Sequence, residues 1–241
     1  MFLDNFLFIG LPYIAIIIFI VGTVYRYRAT KFNYSSLSSQ FLEGKKLFWG
    51  SVPFHWGIIA LFFGHLIAFL IPRGVLAWNS HPLRLLVIEV GAFIFGLTVL
   101  FGLSMLIYRR LTNQRLSRVT SPMDWTVEGL LLLQVILGLW VAYEFRWGSS
   151  WFAATLTPYL RSLFILQPEI TAVSAMPLVV KLHIAFAFVI FAMIPFSRLV
   201  HVLVYPLHYL WRPYQRVLWN WDKSRIRHPD TQWTKESPRN T

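Results

Sequence analysis

The chain has 241 residues, of which 56% are apolar and only 13% charged, and it contains no cysteine. A soluble domain carries about 25% charged residues, so this composition indicates an integral membrane protein. Without cysteine the chain cannot form disulfides, ligate an iron–sulfur cluster through thiolates or attach a c-type haem covalently.

The formal net charge is +12, and the basic residues gather in short segments that flank apolar runs. Flanking charges of this kind set the topology of a membrane protein and contact anionic lipid headgroups. Because no separate soluble module accompanies them, we expect no binding of nucleic acid.

Five apolar runs match the roughly 20 residues that a membrane-spanning helix needs. The N-terminus lacks the basic region and cleavage site of a signal peptide, so the first run is expected to remain as a span. The sequence therefore predicts a single all-α membrane domain over residues 1–241, with a basic cytoplasmic tail at 212–241. The five spans are predicted at residues 6–25, 53–71, 86–107, 124–143 and 178–204.

Two local patterns mark the start of span four and the character of the loop after it. Ser121 and Asp124, with a proline directly after the serine, fit the N-cap and first turn of a helix. The apolar stretch 151–166 contains Pro158 and Arg161 near its centre. It is therefore predicted to be an interfacial helix rather than a sixth span.

The distribution of lysine and arginine predicts the orientation of the chain. Seventeen of the 22 such residues lie around or after the ends of spans one, three and five. Cytoplasmic segments carry the excess of positive charge in membrane proteins. We therefore expect the N-terminus outside and the C-terminus in the cytoplasm, which an odd number of spans allows.

Four histidines lie inside the apolar runs, two on span two and two on span five. Histidine is costly in hydrocarbon and is functional there by default. The predicted topology places His55 and His201 near the cytoplasmic face, and His65 and His183 near the outer face. Because neutral imidazole is a good axial ligand of haem iron, each depth-matched pair is predicted to hold one haem. A hydrogen bond to a neighbouring helix would explain one buried histidine, but less easily four.

The spacing of the histidines differs between the two spans. His55 and His65 are separated by about 15 Å along a helix, whereas His183 and His201 are separated by about 27 Å. We expect a tilt of span five to absorb this difference. His208 is an alternative ligand at the cytoplasmic end.

Residues suited to accommodate a haem accompany these histidines. Gly57 and Gly64 leave room either for a flat macrocycle or for close packing of another helix. Arginine forms charge-assisted bonds with propionates, although the same residues also anchor helix ends in the membrane. The candidates are Arg198, Arg109 and Arg110 on the cytoplasmic side, and Arg84 and Arg73 on the outer side.

Two motifs contain three of the four histidines. The first is F-H-W-G-I at residues 54–58 followed by F-G-H at 63–65, and the second is P-F-S-R-L-V-H at 195–201. Together with the histidine spacings they resemble the respiratory nitrate reductase gamma subunit family. The resemblance covers nearly the whole chain, to about Tyr214.

The resemblance implies a dihaem cytochrome b of the prokaryotic cytoplasmic (inner) membrane. Such a subunit oxidises quinol near the outer haem and passes electrons to an iron–sulfur beta subunit, and then to a molybdenum alpha subunit that reduces nitrate. It implies that His65 and His183 hold the outer (distal) haem, and His55 and His201 the inner (proximal) one. The chain itself would hold no centre for the terminal substrate.

The family's quinol site includes a lysine at the start of span three, where this chain has Arg84. An arginine can donate a hydrogen bond to a quinol oxygen but cannot accept its proton. The expected proton acceptor is Glu89, His81 or a water molecule. The candidates for the whole quinol site are Gly64, His65, Arg84, Glu89 and His81.

Two alternatives stay open at this point. The haems could serve another complex, such as a nitrite oxidoreductase or a heterodisulfide-reductase-like assembly; haem potentials and copurifying subunits would distinguish these. The chain could instead be a non-redox membrane anchor, in which case the purified protein would lack the absorption of b-type haem.

Overall fold

The computed structural model describes residues 2–29 and 45–203, and every regular element within these ranges is helical. The predicted tail at 212–241, residue 204 at the end of predicted span five, and His208 lie outside the described residues.

Five long helices form the bundle, and each is long and apolar enough to cross a membrane. The predicted five-span, all-α fold is therefore confirmed. The first four helices begin before the predicted runs, because hydropathy marks the hydrocarbon part whereas backbone hydrogen bonding continues into the flanking residues. The helices are α1 (Phe2–Ala29), α2 (Lys45–Leu70), α3 (Pro82–Thr112), α4 (Pro122–Glu144) and α5 (Leu178–Met193).

The start of α4 has the predicted capping box. The Ser121 hydroxyl accepts a hydrogen bond from the Asp124 N–H at 3.2 Å, and the Asp124 carboxylate accepts one from the Ser121 N–H at 2.9 Å. Pro122 occupies the first helical position, where its missing N–H costs nothing. These short-range contacts fix where the fourth span begins.

The helices pack as neighbours in the order α2, α3, α4, α5, α1. The closest approach joins α2 to α3: a Cβ on Gly57 would lie 2.8 Å from the Phe95 carbonyl oxygen, and one on Gly102 would lie 2.5 Å from the Phe54 nitrogen. No larger residue fits at these positions, so Gly57 serves close helix packing. A Cβ on Gly64 would meet nothing within 4 Å.

The fifth apolar run is not one continuous helix. α5 ends at Met193, because Pro195 has no N–H to donate and its ring clashes with the carbonyl of Phe191. The chain continues as a 3₁₀ turn at Ile194–Phe196, an extended residue at Ser197 and a second 3₁₀ turn at Arg198–Val202. We call this stretch the 194–202 segment.

His201 lies on the 194–202 segment and not on α5. The sequence predicts one continuous helix that carries both His183 and His201. In the structure, the eighteen residues from His183 to His201 do not follow one straight helix. A break in the chain, rather than the tilt of a continuous span, separates the two histidines.

The chain between α4 and α5 forms short helices, none of which is long enough to span a membrane, as predicted. The helices are Gly148–Trp151, Thr157–Phe164 and Thr171–Ser174, with a π-helical turn at Phe152–Leu156. That these helices lie at the membrane surface stays a prediction.

Hydrogen bonds fasten these short helices to the ends of α1 and α2. The Tyr159 hydroxyl donates a hydrogen bond to the Phe8 carbonyl at 2.9 Å, and burial raises the pKa of Tyr159, so the hydroxyl keeps its proton. The Arg161 guanidinium donates to the carbonyls of Phe69 and Leu70 at 2.8 and 3.0 Å, at the C-terminus of α2. A cation at that position is favourable because the last carbonyls of a helix carry partial negative charge.

The two ends of the bundle contain different ion pairs. The N-terminal end contains Asp4, which forms an ion pair with Lys181 at 3.2 Å, together with Arg161. The basic end contains Arg110 and Arg198, both in ion pairs with Asp124. The predicted orientation would place the basic end in the cytoplasm.

Candidate functional site

The imidazoles of His55 and His201 face each other at the basic end of the bundle. Their ring centres lie 6.1 Å apart, and the ring planes make an angle of 63°. Two imidazoles on opposite sides of one metal ion, each bonded at about 2 Å, place their ring centres about 6 Å apart. The spacing therefore fits two axial ligands of a single metal centre.

Both rings use the same nitrogen, Nδ1, in a hydrogen bond to the backbone of their own segment. His55 Nδ1 donates a hydrogen bond to the Ser51 carbonyl at 2.7 Å, and His201 Nδ1 donates to the Arg198 carbonyl at 2.7 Å. A carbonyl can only accept, so the proton of each neutral ring lies on Nδ1 and the lone pair on Nε2. This is the usual arrangement of a histidine that binds a metal.

His65 has the same arrangement near the N-terminal end, with its Nδ1 donating to the Leu61 carbonyl at 2.8 Å. Its ring meets the edge of Phe152 at 5.4 Å between ring centres. His183 is close enough to His65 for an electrostatic interaction. The second depth-matched pair therefore lies in the same region of the bundle.

The surroundings of His183 differ from those of the other three histidines. Its Nδ1 is buried without a hydrogen-bond partner. The side-chain amide of Gln134 donates to the His183 carbonyl at 3.0 Å and lies 3.4 Å from its Nε2. The contact with Gln134 and the unpartnered Nδ1 distinguish this ring from those of His55, His65 and His201, whose Nδ1 atoms each lie within hydrogen-bond distance of a carbonyl.

Two histidines per site suit haem better than a bare ion. Within residues 2–29 and 45–203, no cluster of three or more His, Cys, Asp or Glu side chains could hold a metal ion. A haem iron already has four macrocycle nitrogens and needs only axial ligands from the protein. The donor set therefore fits haem.

The candidates for propionate binding lie in a cluster of charges at the basic end. The Arg198 guanidinium pairs with Asp124 at 2.8 Å, and the Arg110 guanidinium pairs with Glu128 at 2.7 Å. Arg109 is buried, with 2% of its surface exposed. These ion pairs hold α3, α4 and the 194–202 segment together, and binding of propionates by the arginines stays a prediction.

The quinol candidates occupy the opposite end of the bundle. Gly64 and His65 are exposed on α2. The guanidinium of Arg84 lies 5.1 Å from the ring centre of Trp78, in a cation–π contact. His81 is the exposed N-cap residue of α3.

Glu89, the fifth quinol candidate, has structural contacts. Its carboxylate accepts hydrogen bonds from the N–H groups of Gly148 and Ser149 at 3.0 and 2.9 Å, and from the Ser149 hydroxyl at 2.6 Å. The carboxylate thus holds the start of the Gly148–Trp151 helix. It is therefore less available to accept a proton than the sequence suggested.

Sequence reasoning missed two residues that support the histidines. Gln134 was not singled out, although a polar amide inside an apolar run is a signal in itself. Arg26 reaches from α1 to the 194–202 segment, where it donates to the carbonyls of Pro195 and Ser197 at 2.5 and 3.4 Å. In the sequence, Arg26 is one of the basic residues that follow span one, and nothing there indicates this contact.

Comparison with known proteins finds relatives that cover most of the chain. The family model described as nitrate reductase gamma subunit matches residues 4–220. The nitrate reductase gamma chain of Bacillus subtilis is 37% identical over 209 residues, which cover 85% of this chain and 93% of that protein. The respiratory nitrate reductase 2 gamma chain of Escherichia coli is 31% identical over 220 residues, covering 90% and 97%. The nitrate reductase-like protein NarX of Mycobacterium tuberculosis is 32% identical over 216 residues, covering 84% of this chain and 32% of that longer protein.

Proposed function

The chain belongs to the nitrate reductase gamma subunit family, the membrane cytochrome b subunit of respiratory nitrate reductase, and on that premise we propose that it binds two b-type haems through its four histidines. His55 and His201 are the ligands of the inner haem, and His65 and His183 those of the outer haem. The observation that carries this proposal is the 6.1 Å separation of the His55 and His201 ring centres, with both Nε2 atoms free of backbone hydrogen bonds. Haem at these two depths supplies one-electron carriers.

Quinol is oxidised at the N-terminal end of the bundle, beside His65. Open space next to Gly64 supports this location, because a flat ring can approach α2 there. Arg84 donates a hydrogen bond to a quinol oxygen, and the exposed His81 accepts a proton. Glu89 is less suited to that role because its oxygens hold the Gly148–Trp151 helix.

Each quinol releases two protons and two electrons at this end of the molecule. With the N-terminal end outside the cell, the protons leave on the outer side and the electrons cross to the cytoplasmic side. The separation of charge makes the reaction electrogenic. In the sequence, 17 of the 22 lysines and arginines lie around or after the ends of spans one, three and five, and this distribution supports the orientation.

The partners of the subunit are an iron–sulfur beta subunit, docked at the basic end, and a molybdenum alpha subunit that reduces nitrate. The name gamma chain, which several relatives carry, supports a multisubunit complex. The location is the prokaryotic cytoplasmic (inner) membrane, in contact with the quinone pool.

The proposal is tested by haem counting in the intact complex, by reduced-minus-oxidised absorption spectra and redox titration. We expect two b-type haems per chain. His65→Ala and His183→Ala should each remove the outer haem and abolish quinol oxidation. His55→Ala and His201→Ala should remove the inner haem, leave quinol able to reduce the remaining haem, and block nitrate reduction.

Two results would contradict the proposal. If His55→Ala and His183→Ala removed the same haem, the pairing of ligands would be wrong. If the wild-type protein had no b-type absorption at all, it would be a membrane anchor rather than a cytochrome.

A further inference from the structure

Asp124 joins the start of α4 to the 194–202 segment, because the two oxygens of its carboxylate have different partners. Oδ2 accepts the capping hydrogen bond from the Ser121 N–H at 2.9 Å and lies 3.6 Å from the Arg110 guanidinium. Oδ1 lies 2.8 Å from Nε of Arg198. The capping residue of one helix thus also binds a second, distant element.

The ion pair between Asp124 and Arg198 is better held than an ordinary surface pair. Ion pairs between exposed side chains contribute little, because ordering two long side chains costs entropy and water screens their charges. The Asp124 carboxylate is buried, and its bond to the Ser121 N–H already fixes its position. The Arg198 guanidinium also donates to the Val119 carbonyl at 3.1 Å. Two partners around the start of α4 therefore hold one side chain of the 194–202 segment.

The backbone of Arg198 in turn orients His201. The Arg198 carbonyl accepts the hydrogen bond from His201 Nδ1 at 2.7 Å. With the proton on Nδ1, the lone pair of the ring lies on Nε2, as iron binding requires. The ring centre of His201 lies 6.1 Å from that of His55. A movement of residue 198 would carry the His201 ring with it and change this spacing or the angle between the rings.

We propose that Asp124 is a positioning residue of the inner haem ligand His201, on which it acts through Arg198. The carboxylate fixes the Arg198 side chain, and the Arg198 carbonyl fixes the imidazole. The inference rests on the proposed function, because it requires that His55 and His201 share one haem. It gives a second role to a carboxylate whose capping bonds alone would explain its place at the start of α4.

The test separates this role from a purely electrostatic one. Asp124→Asn and Arg198→Gln each remove one charge and keep a polar side chain. A negative charge near a haem favours the oxidised iron, and a positive charge favours the reduced iron. If the two residues acted through charge alone, Asp124→Asn would raise the midpoint potential of the inner haem and Arg198→Gln would lower it, and the EPR spectrum would not change.

If the two residues act through the position of His201, both variants should change the inner haem in the same way. We expect the low-spin EPR signal of a haem with two histidine ligands to weaken or shift in each variant, while the outer haem keeps its wild-type signal. The double variant should match the single ones, because both substitutions break the same contact. The measurement is EPR spectroscopy with redox titration of the purified intact complex. The signal of the inner haem is the one absent from His201→Ala.

Ser121→Ala is the matched control. It removes the hydroxyl that accepts from the Asp124 N–H at 3.2 Å but keeps the contact of Asp124 with Arg198. Both haems should therefore keep their wild-type signals and potentials. If Ser121→Ala changed the inner haem as Asp124→Asn does, capping of α4 would explain the effect and the inference would be wrong.

Opposite shifts of potential with unchanged spectra, or no response of the inner haem to either substitution, overturn the inference. If Asp124→Asn failed to assemble, Arg198→Gln would decide, since a changed inner haem signal supports the inference and a wild-type signal overturns it. A wild-type complex without an inner low-spin haem contradicts the proposed function itself. A wild-type complex with both haems, neither of which responds to the two substitutions, contradicts only this inference.

Discussion

Gly57 and Gly64 each lie close to one of the two histidines of α2. A methyl group added at Gly57 would meet another helix, whereas one added at Gly64 would not. At Gly57 it would lie 2.8 Å from a carbonyl of α3, whereas at Gly64 it would lie in open space. Gly57→Ala should therefore separate α2 from α3 and cost about 1–3 kcal/mol in the free energy of unfolding. Gly64→Ala should leave stability and haem content unchanged and raise the KM for quinol.

Thermal unfolding and haem content of the two variants, followed by steady-state quinol oxidation, measure this difference. Each glycine serves as the control for the other, since the substitution is the same on the same helix. An equal loss of stability in both would show that the packing of α2 on α3 is not as close as described.

Glu89 shows what sequence could not resolve at the level of a single residue. Its charge and position near the start of α3 suggested a proton acceptor. Its actual partners, Gly148 and Ser149, lie about 60 residues further along the chain. No local pattern links a carboxylate to the N-terminus of a short helix that distant.

The 194–202 segment is the element whose geometry most affects the inner histidine pair. It lacks the regular hydrogen bonds of an α-helix, so contacts from other elements must hold it. Arg26 of α1 donates to the carbonyls of Pro195 and Ser197 in this segment. The Asp124 carboxylate holds Arg198, whose own carbonyl orients His201.

Arg26→Ala should loosen the 194–202 segment and displace His201. Loss of hydrogen bonds from a charged donor costs about 1.5–3 kcal/mol, so we expect a lower content of inner haem with the outer haem retained. Redox titration of the b-haem absorption measures the ratio of the two. Arg28→Ala, an exposed arginine on the same helix, is the control and should keep both haems.

An equal loss of both haems in Arg26→Ala would mean that Arg26 stabilises the bundle as a whole. The sequence did not reveal this role, because proline in an apolar run is compatible with a kinked helix that continues. Here the α-helix ends before the proline instead. Only the contacts across the bundle show which residues hold the 194–202 segment.

The topology of the whole molecule is a direct prediction from its charge asymmetry. A fluorescent protein that folds only in the cytoplasm should be active when fused at the C-terminus. Alkaline phosphatase, which folds only after export, should be active when fused in the loop between α2 and α3. The matched control is a phosphatase fusion in the loop between α3 and α4, which should be inactive.

The opposite pattern of reporter activity would reverse the orientation and place quinol oxidation on the cytoplasmic side. It would leave the ligand pairing unchanged, because the pairs depend on which ends of α2 and of the last apolar run lie together. Orientation and pairing can thus be tested separately.

Across the whole chain, the features that could be predicted are those that depend on residues close together in the sequence. Length and hydropathy indicated the five spans, and the Ser121–Asp124 pattern indicated the start of α4. Other features join residues that are far apart in the sequence. They are the packing order of the helices, the hydrogen bond from Gln134 to the His183 carbonyl and the hydrogen bond from Arg26 to the Pro195 carbonyl. Such contacts depend on the three-dimensional arrangement and leave no periodic signal.

The facing of His55 and His201 also constrains how the protein is made. A ribosome completes α2 long before it reaches the last apolar run, so the early histidines spend most of synthesis without their counterparts. Each proposed haem needs one histidine from α2 and one from the last apolar run. Neither haem can therefore have both ligands until the last apolar run has entered the membrane. Cofactor loading is then a late event in biogenesis, and a chain truncated after α4 should insert into the membrane but remain colourless.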